Sequence, residues 1–177
     1  MTDPFDFAPF KLITPPKVED IPRDWKVILD YIRSVAPEAL LAGGALRDLA
    51  QGVPHADLDI FVYAEGNDAA CGLERKISHV LGAVPEKFVG EFDTEKYRKH
   101  FGQTFVGLSE YEVLGECVQV VYLDLASYEP EHMHITTPFE QALFDRIDFG
   151  ACQIAFDGAK IHTTSFCRAD LENGMFT

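Results

Sequence analysis

The stretch Leu41-Ala42-Gly43-Gly44-Ala45-Leu46-Arg47-Asp48, running on to Asp57-Leu58-Asp59-Ile60-Phe61-Val62, decides how this chain is read. A short apolar strand, Ala39 to Ala42, ends in two glycines. A helix is expected from about Ala45 to Gln51, closed by Gly52, and then a second strand carrying the two aspartates. Two residues without a Cβ at a strand-to-helix turn let a backbone or a ligand come close. The helix that follows offers free N–H groups and a partial positive charge, which suit a phosphate. Arg47, about one turn inside, is placed to aim a forked guanidinium at the same anion. Alternation along the strand puts Asp57 and Asp59 on one face, with Leu58 and Ile60 on the other. Paired carboxylates repel each other and resist burial. A hard divalent cation compensates them directly, and Mg²⁺ shared with substrate phosphates is the commonest case. Alone, Gly-Gly is an ordinary turn and Asp-x-Asp an ordinary strand edge; their combination around Arg47 points to a site.

Around this centre the chain divides simply. Residues 1–23 carry Pro4, Pro9, Pro15, Pro16 and Pro22, a density that excludes regular helix and predicts an extended arm, with Phe5, Phe7 and Phe10 either pinning it to the domain or buried by a second subunit. Asp24 is expected to cap an amphipathic helix bearing Val27, Ile28, Tyr31, Ile32 and Val35. Helical spacing returns from Asn67 to about Leu81. Phe101 to Val106 and Tyr111 to Leu123 read as two strands, Phe139 to Arg146 as a short helix, and Cys152 to Phe156 as a last strand turned by Asp157-Gly158. The expectation is one mixed α/β (α+β) domain over 24–160, a central sheet flanked by helices, with 161–177 as a tail packed on it.

Composition narrows the function. The 177 residues carry 15 Lys and Arg against 29 Asp and Glu, a formal charge of −14. Such a molecule has little general attraction for nucleic acid or anionic lipid, so any polyanion must be met by local cations or metal. With no apolar run long enough to span a membrane and no signal-peptide pattern at Met1, the expected location is cytoplasmic. Cys71, Cys117, Cys152 and Cys167 form no Cys-x-x-Cys pair and are expected to be reduced and mostly buried. His132 and His134, between Pro130 and Pro138, read as a loop rather than a metal site.

Gly43-Gly44-Ala45-Leu46-Arg47-Asp48 with Asp57-Leu58-Asp59-Ile60-Phe61 resembles the signature of the DNA polymerase beta-type nucleotidyltransferase superfamily, in particular the head domain of class II CCA-adding enzymes and bacterial poly(A) polymerases. Phe101 to Val106, Cys117 to Leu123 and Leu143 to Asp157 resemble its later strands and its Arg-Arg-Asp-Phe motif. Asp148-Phe149 with Cys152-Gln153 is also similar to small nucleotidyltransferase-like proteins of bacteriophages. The resemblance implies a nucleotidyltransferase fold and transfer of a nucleoside monophosphate from an NTP, ATP foremost, to a hydroxyl on a small molecule, a protein or an RNA end. It implies Asp57 and Asp59 as catalytic ligands of two Mg²⁺ ions (Mn²⁺ in their place), with Gly43, Gly44, Arg47, Arg146 and Asp148 binding nucleotide.

Three departures qualify the resemblance. Gln119 stands where the family has a third carboxylate, and an amide supplies neither the charge nor a base; Glu116 and Asp124 are the nearby candidates to replace it. Ile147 stands where the second arginine of the motif belongs. About 19 residues follow Gly158, too few for the helical regions that grip transfer RNA, so sequence-general nucleic-acid binding and full CCA addition are not expected. The alternatives are a nucleotidyltransferase-fold module that binds nucleotide or a partner protein without turnover, and an unrelated acidic interaction protein.

Overall fold

Alternation in the second strand sorts the molecule into two faces. The structure, a computed structural model, describes residues 13–86, 104–126, 138–147 and 150–173. Six strands, β1 (Leu40–Ala42), β2 (Leu58–Tyr63), β3 (Phe105–Val113), β4 (Glu116–Leu123), β5 (Ile154–Phe156) and β6 (Ile161–Thr163), form one sheet in the order β3-β4-β2-β1-β5-β6. β2 and β4 are parallel; the other neighbours are antiparallel. The described helices are α1 (Arg23–Arg33), α2 (Gly44–Gln51), α3 (Gly66–Leu81), α4 (Pro138–Phe144) and α5 (Ser165–Asn173). The mixed sheet flanked by helices is the architecture expected from the sequence.

On the first face, Leu58, Ile60, Val62, Val118, Val120 and Tyr122 bury against Ile28, Leu29 and Ile32 of α1 and Ala70 and Ile77 of α3. Period-2 strands meeting helices with apolar stripes of period 3.6 give a closed layer. On the second face, Phe61, Leu108, Val121 and Leu123 pack under Phe139, Leu143 and Phe144 of α4. That cover reaches only part of the face. Asp59 lies two residues before Phe61, Gln119 two before Val121, and Glu110 two after Leu108, so the same alternation carries this face into a polar half.

Several boundaries differ from the expectation. Pro22 precedes α1 as its N-cap, so Asp24 lies in the first turn, where its charge still suits the helix dipole. The strand expected from Tyr111 to Leu123 is broken by a two-residue turn at Leu114 and Gly115, both with φ positive (55° and 81°). Tyr111 to Val113 therefore complete β3 in a hairpin with β4. Gly150–Cys152 is a 3-10 turn, and β5 starts at Ile154. α4 ends at Phe144 rather than Arg146. The sheet runs past residue 160: the Asp157-Gly158 turn sends the chain back as β6, and α5 then buries Cys167 and Leu171. All four cysteines are free; Cys152 and Cys167 are buried, while Cys117 is exposed. Phe5, Phe7, Phe10, His132 and His134 lie outside the described residues. Among the described residues, no helix is long and apolar enough to cross a membrane.

Candidate active site

Asp59 is where the two halves of the sequence motif meet. It is the register partner of Ala42 on β1, the residue immediately before the glycine turn. Gly43 has φ 87° and ψ −138°, a conformation that side-chain-bearing residues avoid, and a Cβ built on it would lie 3.6 Å from Asp59 Oδ2. That separation is an ordinary contact, so the backbone angle, and not crowding, requires glycine. The Gly43 amide donates to the Ile154 carbonyl at 3.1 Å, tying the turn to β5. Gly44 then opens α2, directly after the glycine that faces the Asp59 carboxylate. Asp57, just before β2, and Asp59, within it, are both half-buried.

Arg47 stays beside the turn without its fork being free. One of its terminal nitrogens, Nη2, lies 3.6 Å from where a Gly44 Cβ would sit. Nε donates to Asp48 Oδ1 at 2.8 Å, Nη2 is 2.6 Å from the same oxygen, and Nη1 donates to Cys152 Sγ at 3.3 Å. Burial alone would lower the guanidinium's pKa, but the bonds to Asp48 and Cys152 outweigh it and the shift is upward. Burial raises the Cys152 thiol, against the pull of Arg47. The next residue, Gln153, donates through Nε2 to the carbonyls of Phe144 (3.2 Å) and Ile147 (3.1 Å), bracing the turn that carries Arg146. Cys152-Gln153 thus holds Arg47 with one side chain and the Arg146 turn with the other. Asp148 lies outside the described residues.

Neither candidate substitute for the third carboxylate reaches this face. Glu116 accepts from Trp25 Nε1 at 2.9 Å and sits 2.7 Å from His55 Nε2, with Trp25 and His55 stacked edge-on at 4.6 Å. This cluster pins the loop that delivers Asp57, a role the sequence reading missed. Asp124 accepts from the amides of Gly66 (3.0 Å) and Ala126 (2.8 Å), at the far end of β4. Both have the parity of Val118 and Val120, hence the opposite face from Gln119, which alternation alone could have revealed.

Gln119 is the register partner of Asp59 on one side and of Glu110 on the other. Its Nε2 donates to Glu110 Oε1 at 3.2 Å. The exposed Cys117 thiol registers the charge gathered here. Its pKa is raised, first by partial burial and then by the charges of Asp57, Glu110, Glu86 and Asp59. Hard oxygen donors two residues apart, Asp57 just before β2 and Asp59 within it, in a field negative enough to oppose a thiolate, are a donor set suited to Mg²⁺.

Two other features lie apart from this site. A cavity of about 450 Å³, lined by Val35, Ala36, Glu38, Tyr63, Glu65 and Leu73 among others, surrounds the opposite end of β2, and Tyr63 is about 13 Å along the strand from Asp59. Among the described residues, Glu140, Asp157 and His162 bring ligand-type atoms within 4.8 Å of one another, close enough to share an ion. There His162 Nε2 already lies 2.8 Å from Asp157 Oδ2 and 3.4 Å from Glu140 Oε1.

No protein-family model matches the chain. No curated protein matches it either. Solved structures do. A tRNA-processing enzyme in an apo form is similar with a TM-score of 0.59 at 19% identity, covering 91% of this chain and 38% of that one. The Thermotoga maritima CCA-adding enzyme complexed with tRNA gives 0.51 at 20% identity, over 90% of this chain and 33% of that one. The Bacillus stearothermophilus CCA-adding enzyme in complex with CTP gives 0.52 at 17%, over 88% and 32%. The chain spans about a third of the length of these structures. Its fold is therefore the nucleotidyltransferase fold of the CCA-adding enzymes, and it resembles the head-domain part of them.

Proposed function

We propose that this chain is a divalent-cation-dependent nucleotidyltransferase, moving a nucleoside monophosphate from an NTP, ATP foremost, to a hydroxyl acceptor. The acceptor oxygen bonds to the α-phosphorus, the bond from that phosphorus to the bridging oxygen breaks, and pyrophosphate leaves with the electron pair. The acceptor's proton passes to solvent or a carboxylate. The observation that carries this reading is the placement of Asp59 against the Gly43 turn that opens α2. It brings a cation-binding carboxylate and a phosphate-binding helix start to one point. Asp57 and Asp59 would hold Mg²⁺ or Mn²⁺, which when bound neutralises the triphosphate and lowers the proton affinity of an attacking hydroxyl. The turn and the start of α2 orient the phosphates; positioning and neutral charge are most of what phosphoryl transfer asks of a protein. Arg47 stands beside the same turn, and Arg146 and Asp148 are assigned to the nucleotide by resemblance. CCA-adding enzymes have been seen with CTP and with ATP, which supports an NTP here; the net charge of −14 favours a compact acceptor over sequence-general RNA.

A second reading, nucleotide binding without turnover, is favoured by the neutral Gln119 in the row beside Asp59. Incubation with Mg²⁺, α-labelled NTPs and a panel of alcohols, proteins and RNA ends separates the two. Saturable label transfer with pyrophosphate release, lost in Asp57→Asn and Asp59→Asn, supports the enzyme. Mg²⁺-dependent binding with no transfer supports the binding module. If neither variant alters nucleotide affinity or its Mg²⁺ dependence, the site is wrong.

A further inference from the structure

Three strands contribute to one row across the polar half of the second face: Asp59 on β2, Gln119 on β4 and Glu110 on β3. Registered neighbours share a face and stand about 5 Å apart, so Glu110 is about 10 Å from Asp59 at the backbone, with a long side chain to span part of that. The amide between them is oriented. A carboxylate only accepts, so Gln119 must present its NH₂ end to Glu110, as the 3.2 Å bond shows. Glu110 is half-buried and follows Leu108, the last residue of β3 under α4, so it stands at the border of the polar half.

We propose that Glu110 supplies the third negative charge of the site, from one strand further out than the row position Gln119 occupies. It acts as a positioning residue that sets the Gln119 amide and strengthens the hold of Asp57 and Asp59 on a divalent cation. The inference rests on the reading of Asp57 and Asp59 as cation ligands. It accounts for how a site can keep a neutral residue beside Asp59 and still gather charge: the missing carboxylate has moved laterally along the sheet. The negative field felt by Cys117, to which Glu110 contributes alongside both aspartates, is consistent with this.

The test uses the full chain with Mn²⁺ as probe, binding read by electron paramagnetic resonance and calorimetry at low ionic strength, with thermal unfolding as a control. Glu110→Gln keeps an acceptor for the Gln119 amide while removing the charge. It should weaken Mn²⁺ binding about tenfold, the scale of a unit charge acting on a divalent ion across such a distance. The loss should shrink as salt is added. Moving the charge inward, in the double variant Glu110→Gln with Gln119→Glu, should restore binding to within about threefold of the parent. A structural role predicts no such rescue. Unchanged Mn²⁺ affinity in Glu110→Gln, with Asp59→Asn abolishing it, overturns this inference and leaves the proposed function standing. Parent protein that binds no Mn²⁺, or binding indifferent to Asp59→Asn, overturns both.

Discussion

Two groups of carboxylates occupy this molecule, and they are satisfied in different ways. Glu140, Asp157 and His162 join α4 to the β5–β6 turn. The ring of His162 faces both acids, and Asp157 Oδ1 also accepts from the amides of Ala159 (2.7 Å) and Lys160 (2.6 Å). The donors come from the fold itself, and the group fastens one end of α4 while Gln153 fastens the other. Asp57, Asp59 and Glu110 bring like charges from strands on either side of β4 onto one face beside a helix start, with Glu110 accepting from Gln119 Nε2. Proximity of acids is therefore a poor guide to a metal site. What distinguishes the second group is the positive-φ glycine turn and the helix start beside it.

The largest effect that would sharpen this contrast is on transfer. Asp59→Asn should reduce nucleotidyl transfer by about two to three orders of magnitude, the scale of several kcal/mol of lost transition-state stabilisation, while Asp157→Asn leaves the rate per folded molecule near the parent's. Single-turnover assays on both variants, normalised to folded protein, check it. Equal losses would erase the distinction.

Gly43 and Gly158 offer the same comparison at the level of backbone, since both hold positive φ (87° and 91°). Alanine at either should cost about 1–3 kcal/mol of stability, read by urea denaturation. Only Gly43→Ala should also weaken nucleotide binding, because it moves the turn that opens α2. If Gly158→Ala weakens nucleotide binding as much, the two turns are not functionally different.

Much of this was written in the sequence, and the reason is local. Gly43-Gly44 and Asp57-x-Asp59 declare their conformation and face within a few residues, and alternation was enough to place Leu58 and Ile60 in the core. What stayed hidden depends on register between distant segments. Nothing near Glu110 in the sequence says that it will lie opposite Gln119; the Leu114-Gly115 hairpin decides that. The pairing of Arg47 with Cys152, and the cluster of Trp25, His55 and Glu116, likewise join residues far apart in the chain. The β3–β4 break was missed because a leucine in a left-handed conformation is no turn signal.

A smaller effect concerns pH. Burial by itself would raise the Asp157 carboxyl, but the bonds from His162, Ala159 and Lys160 prevail and hold it below the usual carboxylate range. A depressed folded-state pKa contributes stability that is present above the unfolded value, about 3.9, and is lost as pH falls through the folded one. Asp157→Asn should therefore cost about 1–2 kcal/mol near pH 6, with the gap to the parent closing below about pH 4. A gap that does not narrow as pH falls below the unfolded value would place the effect in packing and not in the charge.

The smallest effect reports on the other group without requiring any substrate. Cys117 is exposed, yet partial burial and the surrounding carboxylates push its thiol up. Only the thiolate is nucleophilic, so at pH 8 iodoacetamide should label Cys117 more slowly than an unperturbed exposed thiol, by a few-fold. Removing one of the negative charges in Asp57→Asn should quicken the reaction, and Mn²⁺ should do so in the parent but much less in the variant. Peptide mass spectrometry separates Cys117 from the partly exposed Cys71. The sign of the Mn²⁺ effect is what matters: a cation settling beside Asp57 and Asp59 favours the thiolate, whereas one settling at Glu140, Asp157 and His162 would leave Cys117 unchanged.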